Sequence, residues 1–144
     1  METFGCPGFR TAGVCAGLKK NGANDLGLIF AEGGATVAGA YTRNRVQAAP
    51  VGLTRRRASA GRWRAVVVNS KNANCCTGPR GMTDAETVTA RVAEALGVPA
   101  EQVLAASTGV IGTPMPTAIL TAAVPALVAS LAPGDVKFGG LPRA

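Results

Sequence analysis

The segment from residue 83 to residue 106, TDAETVTARVAEALGVPAEQVLAA, predicts a helix followed by a strand and decides the fold class. Thr83 and Glu86 have the spacing of a capping box, in which two side chains satisfy free amide groups at a helix start. Apolar residues then recur at helical spacing. Gly97 and Pro99 are typical of the positions just after a helix end. The sequence therefore predicts a helix that is capped by Thr83 and stops at Gly97.

Short apolar runs on either side of this helix predict strands. Residues 103–106 follow the helix, and residues 65–69 precede it with a β-branched run suited to a strand buried on both faces. Residues 26–31 and 36–41 flank a Gly-Gly turn and predict a β-hairpin. Because strands and helices alternate in the second half, we expect an α/β chain with a mixed sheet.

The two ends of the chain are predicted to be irregular. Residues 1–13 are rich in Gly and Pro, and the same residues recur after residue 132. A second helical pattern ends at Leu131, and Pro125 within it is expected to cause a kink or a break. We therefore expect one domain over residues 1–132 and an irregular tail over residues 133–144.

Composition limits the classes of function. The chain has 144 residues, of which 47% are hydrophobic, so it can bury a core. It has no histidine, which excludes a Ser-His-Asp triad, a Cys-His pair and imidazole-dependent metal sites within the chain. The sequence has no uninterrupted apolar run of about 18 residues, so no membrane span is predicted. The four cysteines lack CxxC spacing and no signal peptide is visible. We therefore expect a cytoplasmic protein with free thiols and no bound metal.

A cluster of arginines supports one alternative function. The net charge is +7, and the densest basic run is Arg55, Arg56 and Arg57, followed by Arg62 and Arg64. Clustered guanidinium groups bind oxyanions, so a basic module for nucleic acid or another anion is one interpretation. No nucleic-acid-binding motif accompanies the run. A solvated loop is the interpretation that we favour, with no nucleic acid partner.

Two loops contain candidate catalytic groups. Residues 107–112, STGVIG, form a tight turn directly after a predicted buried strand. There the Gly109 N–H and the Thr108 hydroxyl could stabilise a developing oxyanion, although an ordinary strand-to-helix turn has the same pattern. The loop at residues 69–78 contains three asparagines and the thiols of Cys75 and Cys76. These side chains could orient a ligand or attack it, or the asparagines could simply bond their own backbone.

Several short motifs follow one another in the order of a known family. The sequence resembles, from about residue 9 to about residue 131, the N-terminal part of the bifunctional ornithine acetyltransferase/N-acetylglutamate synthase family of arginine biosynthesis. The motifs that carry this resemblance include AGV (12–14), AGLK (16–19), ATVAG (35–39), TRNRV (42–46), VVNS (67–70), NAN (72–74), CTG (76–78) and STGVIG (107–112).

The resemblance implies an αββα-type sandwich, incomplete in this chain, and a specific reaction. Family members cut themselves at an Ala-Thr bond into α and β subunits, which remain together as a hetero-oligomer. The new N-terminal Thr accepts acetyl from N-acetylornithine and passes it to glutamate. Bifunctional members also use acetyl-CoA as a donor, and no resident cofactor is implied. Thr108 and Gly109 match the oxyanion hole, whereas no substrate-binding residue is assigned.

The chain departs from the family pattern near its end. The resemblance places the Thr nucleophile beyond the second helix, and no matching segment is found before Ala144. We therefore expect a truncated α-subunit that supplies the oxyanion hole, needs the β-subunit and is inactive alone. Its incomplete sandwich is expected to leave apolar surface exposed. A related self-cleaving aminopeptidase is a further alternative.

Overall fold

One mixed five-stranded sheet and three helices make up the structure, a computed structural model that describes residues 4–136. The strand order is β4-β3-β2-β1-β5; β3 and β4 are parallel, and all other neighbours are antiparallel. The predicted α/β class with a mixed sheet is confirmed. The elements in chain order are β1 (Phe4–Val14), β2 (Leu26–Thr36), α1 (Ala49–Ala58), β3 (Arg62–Asn69), α2 (Pro79–Leu96), β4 (Val103–Ser107), α3 (Thr117–Ala129) and β5 (Ala132–Val136).

The core lies between one face of the sheet and the helices α2 and α3. Leu28 and Val67 from the sheet are buried there against Val92 and Leu120 from the helices. The opposite face of the sheet is open, since Val68, next to the buried Val67, is 36% exposed. The prediction that the strand at residues 65–69 is buried on both faces is therefore wrong. No helix among residues 4–136 is long and apolar enough to cross a membrane.

Long-range pairing makes strands of segments that the sequence marks as irregular. Residues 4–13 belong to β1, and the predicted tail from residue 133 begins within β5. These two strands pair with each other, with Thr11 opposite Ala132. The strand partner of β5 is more than 100 residues away, which leaves no local signal, and an edge strand such as β5 tolerates Gly and Pro. In β1, Pro7 and Gly8 lie at the register shift between Gly5 and Arg10. The irregularity predicted for residues 137–144 concerns residues outside the described part of the chain.

The predicted hairpin at residues 26–41 is also wrong. Its first arm and its Gly-Gly turn form a single strand, β2, which pairs with β1 and β3. The pairing with β3 shifts register between Phe30 and Ala35, and Gly34 has a φ of +77°. The glycines therefore accommodate an irregularity within a strand rather than a reversal of the chain.

Helices α1 and α2 include residues that the sequence predicted to lie in a loop or at a helix cap. Arg55, Arg56 and Arg57 lie in the last turn of α1, so the solvated-loop interpretation of this run is wrong. Helix α2 begins at Pro79 after an N-cap at Gly78, and the predicted capping box therefore lies inside the helix.

The ends of the two longer helices can be compared with their stop signals. Helix α2 ends at Gly97, in the left-handed conformation, as predicted. Helix α3 continues through Pro125, and the predicted break does not occur. Pro125 is exposed, while Val124 and Leu127 beside it are fully buried and hold the helix against the core.

Helix α1 seals the free edge of β4. The Thr54 hydroxyl donates to the Ala105 carbonyl at 2.7 Å and accepts from the Ala105 N–H at 3.1 Å. Arg57 donates to the Val103 carbonyl at 2.6 Å. These side chains replace a neighbouring strand, because an edge strand otherwise presents unpaired backbone groups. The edge strand that leads into the 107–112 turn is thereby fixed.

A buried carboxylate organises the connection between β1 and β2. Asp25 is only 4% exposed and accepts N–H groups from Ala16 at 2.6 Å and from Lys19 at 2.8 Å. Burial alone would raise the pKa of Asp25, but these backbone donors, together with those of Leu18 and Gly17, lower it below the ordinary value. The ionised carboxylate therefore stabilises the fold.

We expect Asp25→Asn to lower the free energy of unfolding at pH 7 by about 1–3 kcal/mol, because the amide cannot accept both N–H groups. Since the folded pKa is lowered, the contribution is fully present above about pH 4 and is lost as the pH falls through the folded pKa. Urea denaturation at pH 7 and pH 3 measures both effects.

The control is Glu32→Gln, which removes the exposed ion pair with Arg10 and is expected to cost about 0.5 kcal/mol or less. Equal losses for the two variants, or a loss for Asp25→Asn that does not shrink in acid, would contradict the role assigned to Asp25.

Candidate functional site

The candidate turn at residues 107–112 packs against the loop that follows β3. Because β3 and β4 are parallel, their carboxyl ends meet at the same edge of the sheet, where Asn69 lies opposite Ser107. Beyond the strands, Asn72 and Val110 form one further parallel bridge. The turn and the loop of residues 69–78, which sequence analysis treated as separate candidates, therefore form one structure.

Backbone hydrogen bonds join the turn to the loop. They run in both directions and use three of the six amides of the turn, with N···O distances between 2.8 and 3.0 Å. The pairs, donor first, are Thr108 N–H to Asn69 O, Val110 N–H to Lys71 O, Gly112 N–H to Cys75 O and Ala73 N–H to Val110 O.

Gly109 is the point of closest approach. Its φ is +138°, and a Cβ atom at this position would lie 2.5 Å from the backbone nitrogen of Asn72 and overlap the carbonyl carbon of Lys71. Backbone atoms cannot move aside as the end of a flexible side chain can. Only glycine therefore allows the turn to lie against the loop.

Two donors in the turn remain available. Among residues 4–136, neither the Gly109 N–H nor the Thr108 hydroxyl forms a hydrogen bond. Both residues are exposed, whereas the Thr108 N–H is already bonded to Asn69. The donor pair that the sequence suggested, a hydroxyl and the next amide, is thus free, exposed and attached to a rigid support. Free amide and hydroxyl donors of this kind can bind an oxyanion.

The three asparagines support the loop instead of facing a ligand. Asn69 accepts from the Ser107 hydroxyl at 2.6 Å and donates to the Asn72 carbonyl at 2.8 Å. Asn72 donates to the carbonyls of Thr113 and Pro114, and Asn74 donates to the Gly81 carbonyl at 2.7 Å. All three asparagines are at most 5% exposed. Their side-chain amides donate to backbone carbonyls, some of which are distant in sequence. This fits the interpretation in which the asparagines bond backbone and do not bind a ligand.

The loop contains strained backbone. Lys71, Asn74 and Cys76 have φ angles of +73°, +48° and +59°. Such conformations cost about 1–3 kcal/mol each and persist only where the surroundings enforce them. Lys71 was missed by sequence analysis, although its carbonyl supports the turn, because no sequence signal marks a lysine for this conformation.

The Cys75 thiol is not activated as a nucleophile. The sulfur atoms of Cys75 and Cys76 are 3.8 Å apart. Desolvation, and then the neighbouring Cys76 thiol, raises the pKa of Cys75, which lowers its thiolate fraction at neutral pH. The loop therefore holds the turn in place without supplying an activated Cys75.

The arginine run does not form one binding surface. Arg55 lies over the Tyr41 ring at 5.2 Å, Arg56 pairs with Glu86 at 2.6 Å, and Arg57 bonds the β4 backbone. Each guanidinium contacts a different element. The arrangement does not favour the basic-module alternative.

The chain matches a family model and several characterised relatives. The model, described as the ArgJ family, matches residues 10–139. The arginine biosynthesis bifunctional protein ArgJ of Geobacter sulfurreducens is 52% identical over 124 residues, which are 86% of this chain and 32% of that protein. The protein of the same name from Symbiobacterium thermophilum is 48% identical, over 88% of this chain and 32% of that protein. The chain thus spans about a third of the length of these relatives.

Solved structures give the same result. The ornithine acetyltransferase of Mycobacterium tuberculosis, crystallised with ornithine, superposes with a TM-score of 0.87 at 45% identity, covering 91% of this chain and 72% of that one. The ArgJ protein of Bacillus halodurans gives a TM-score of 0.81 at 39% identity, covering 90% and 65%. The similarity therefore extends over nearly the whole chain.

We expect Gly109→Ala to lower the free energy of unfolding by about 2–4 kcal/mol, because the methyl group would overlap backbone atoms of the loop. Gly112→Ala is the matched control. Its φ is +81° but no atom lies within 4 Å of its Cβ position, so it is expected to cost only about 1 kcal/mol. Urea denaturation compares them. An equal loss of unfolding free energy in the two variants would show that Gly109 does not pack tightly against the loop.

Proposed function

This chain belongs to the ArgJ family, and we propose that it supplies the oxyanion-binding part of a glutamate N-acetyltransferase and ornithine acetyltransferase of arginine biosynthesis. The observation that carries the proposal is the free pair of donors, the Thr108 hydroxyl and the Gly109 N–H, on a turn fixed by backbone hydrogen bonds. The similarity to relatives that are named for arginine biosynthesis and for ornithine acetyl transfer supports it.

In the proposed reaction, a Thr hydroxyl on the β-subunit, outside these 144 residues, attacks the acetyl carbonyl of N-acetylornithine. The carbonyl oxygen becomes an oxyanion that accepts hydrogen bonds from Thr108 and Gly109. The C–N bond breaks, ornithine leaves with a proton on its amine, and the acetyl group remains on the Thr. The amine of glutamate then attacks this ester, and the same two donors stabilise the second oxyanion. The ester C–O bond breaks, the Thr oxygen takes up the proton that the glutamate amine loses, and N-acetylglutamate leaves.

The open face of the sheet fits an α-subunit that works with a β-subunit. Ile29 and Val68 on this face are 37% and 36% exposed, and Val110 and Ile111 in the turn are more exposed. Exposed apolar surface of this kind marks an interaction site. We propose that the β-subunit covers it and brings the nucleophile to the turn.

Three further properties belong to the proposal. Acetyl-CoA as a second donor, the absence of a resident cofactor and a cytoplasmic location are predictions. Four cysteines without a disulfide among residues 4–136 are in keeping with a reducing compartment. No observation favours the aminopeptidase alternative.

We expect Thr108→Val to lower kcat for acetyl transfer from N-acetylornithine to glutamate by about 10²–10³-fold, because one oxyanion donor is lost. The assay uses a chimera in which residues 10–131 of this chain replace the matching segment of the Geobacter sulfurreducens relative. It measures the ornithine released.

The control is Thr83→Val, on the exposed surface of α2 and far along the chain from the turn, which should leave kcat within about twofold. An unchanged kcat for Thr108→Val would remove Thr108 from the proposed mechanism. Turnover by the isolated 144-residue chain would show that the nucleophile has been placed on the wrong polypeptide.

A further inference from the structure

A groove lined by three lysines lies beside the candidate turn. Its walls are formed by Leu18, Lys19, Lys20, Asn21 and Lys71, and its volume is about 480 Å³. No carboxylate is among these residues. Two segments that are about 50 residues apart in sequence thus contribute three lysines to the walls of one groove.

Lys71 belongs to both the groove and the turn. Its side chain lines the groove, while its carbonyl accepts the N–H of Val110 and its backbone lies against Gly109. The positive φ of Lys71 is therefore part of what places a cation next to the turn.

The lysines retain capacity to bind an anion. The ion pairs among the described residues are all formed by arginines, so Lys19, Lys20 and Lys71 have no carboxylate partner there. Lys19 donates one proton to the Asn24 carbonyl at 2.6 Å, and an ammonium group has three protons to donate. Three lysines without a carboxylate partner around one groove create a positive potential that attracts anions.

A second hollow shares Lys19 and continues the groove. Its volume is about 230 Å³, and its walls include Asp25 and Ser70. The Asp25 carboxylate is held by backbone N–H groups of the 16–19 segment, so part of its charge is already engaged. The Ser70 hydroxyl is buried, and no hydrogen-bond partner is found for it among residues 4–136. Such an orphaned hydroxyl is costly unless a ligand or water satisfies it.

We propose that this lysine groove binds the phosphate groups of a phosphorylated ligand. The inference rests on the proposed function in one respect: for an acetyltransferase, the ligand would be an acyl carrier that bears phosphates, with its acyl end at the turn. Phosphate suits the site better than a single carboxylate, because three ammonium groups and a groove of this size match several negative charges.

Isothermal titration calorimetry on the full 144-residue chain at low salt tests the proposal. The probes are inorganic diphosphate, coenzyme A and, as a carboxylate without phosphate, glutamate. The test variant is Lys20→Gln/Lys71→Gln. The matched control is Arg43→Gln/Arg45→Gln, which removes the same charge from exposed positions outside the groove. Circular dichroism checks that each variant is folded, and Lys20→Gln alone serves if the double variant is not.

We expect diphosphate and coenzyme A to bind the unmodified chain. The lysine variant should bind them at least about tenfold more weakly, and the arginine control should lose less than about twofold. Absence of binding, equal losses in the two variants, or binding of glutamate as tight as that of diphosphate would each overturn the proposal. Because the measurement needs no turnover, it remains decisive if the chimera transfers no acetyl group.

Discussion

The approach of Gly109 to the backbone of Lys71 and Asn72 is the contact on which the candidate site depends. Where a side chain would normally separate two segments, the missing Cβ lets two main chains touch. This contact uses the amides on both sides of Gly109 for hydrogen bonds, while the exposed Gly109 N–H forms none among residues 4–136. An oxyanion site needs donors that are fixed before the substrate arrives, since reorganisation during the reaction would reduce their effect. The close packing of two main chains provides this rigidity.

The strain in the loop is offset by buried amides. Three residues in left-handed conformations within six positions would be unstable in a free loop. Asn69 bonds a carbonyl within the loop, and Asn72 and Asn74 tie the loop to carbonyls of neighbouring segments, all where water has little access. Since a buried unpaired carbonyl costs about 1–3 kcal/mol, each asparagine contributes more than its own hydrogen bond. The asparagines are thus positioning residues for the turn, although none of them faces a ligand.

How far the sequence predicts this structure depends on the range of the interactions. Helix α2 ends where Gly97 predicts, and β4 lies where its apolar run predicts, because both signals are local. Strand β5 could not be predicted, since its strand neighbour β1 lies more than 100 residues away in sequence. Strand β1 was missed because its Gly- and Pro-rich sequence does not show the period of a strand, although it pairs with both β2 and β5. Helix α1 was missed because its apolar residues do not recur at helical spacing and only Pro50 and Leu53 are buried.

The same distinction holds within the site. Thr108 and Gly109 could be singled out because glycine-flanked turns after buried strands have a recognisable pattern, which the family resemblance reinforced. The groove could not be found, since Lys71 meets Lys19 and Lys20 only after β1, β2 and β3 have paired. The sequence pointed to the arginine run as the basic feature, but these arginines are engaged with separate elements. Charge density along a chain is therefore a weaker guide to an anion site than the positions at which a fold leaves cations unpaired.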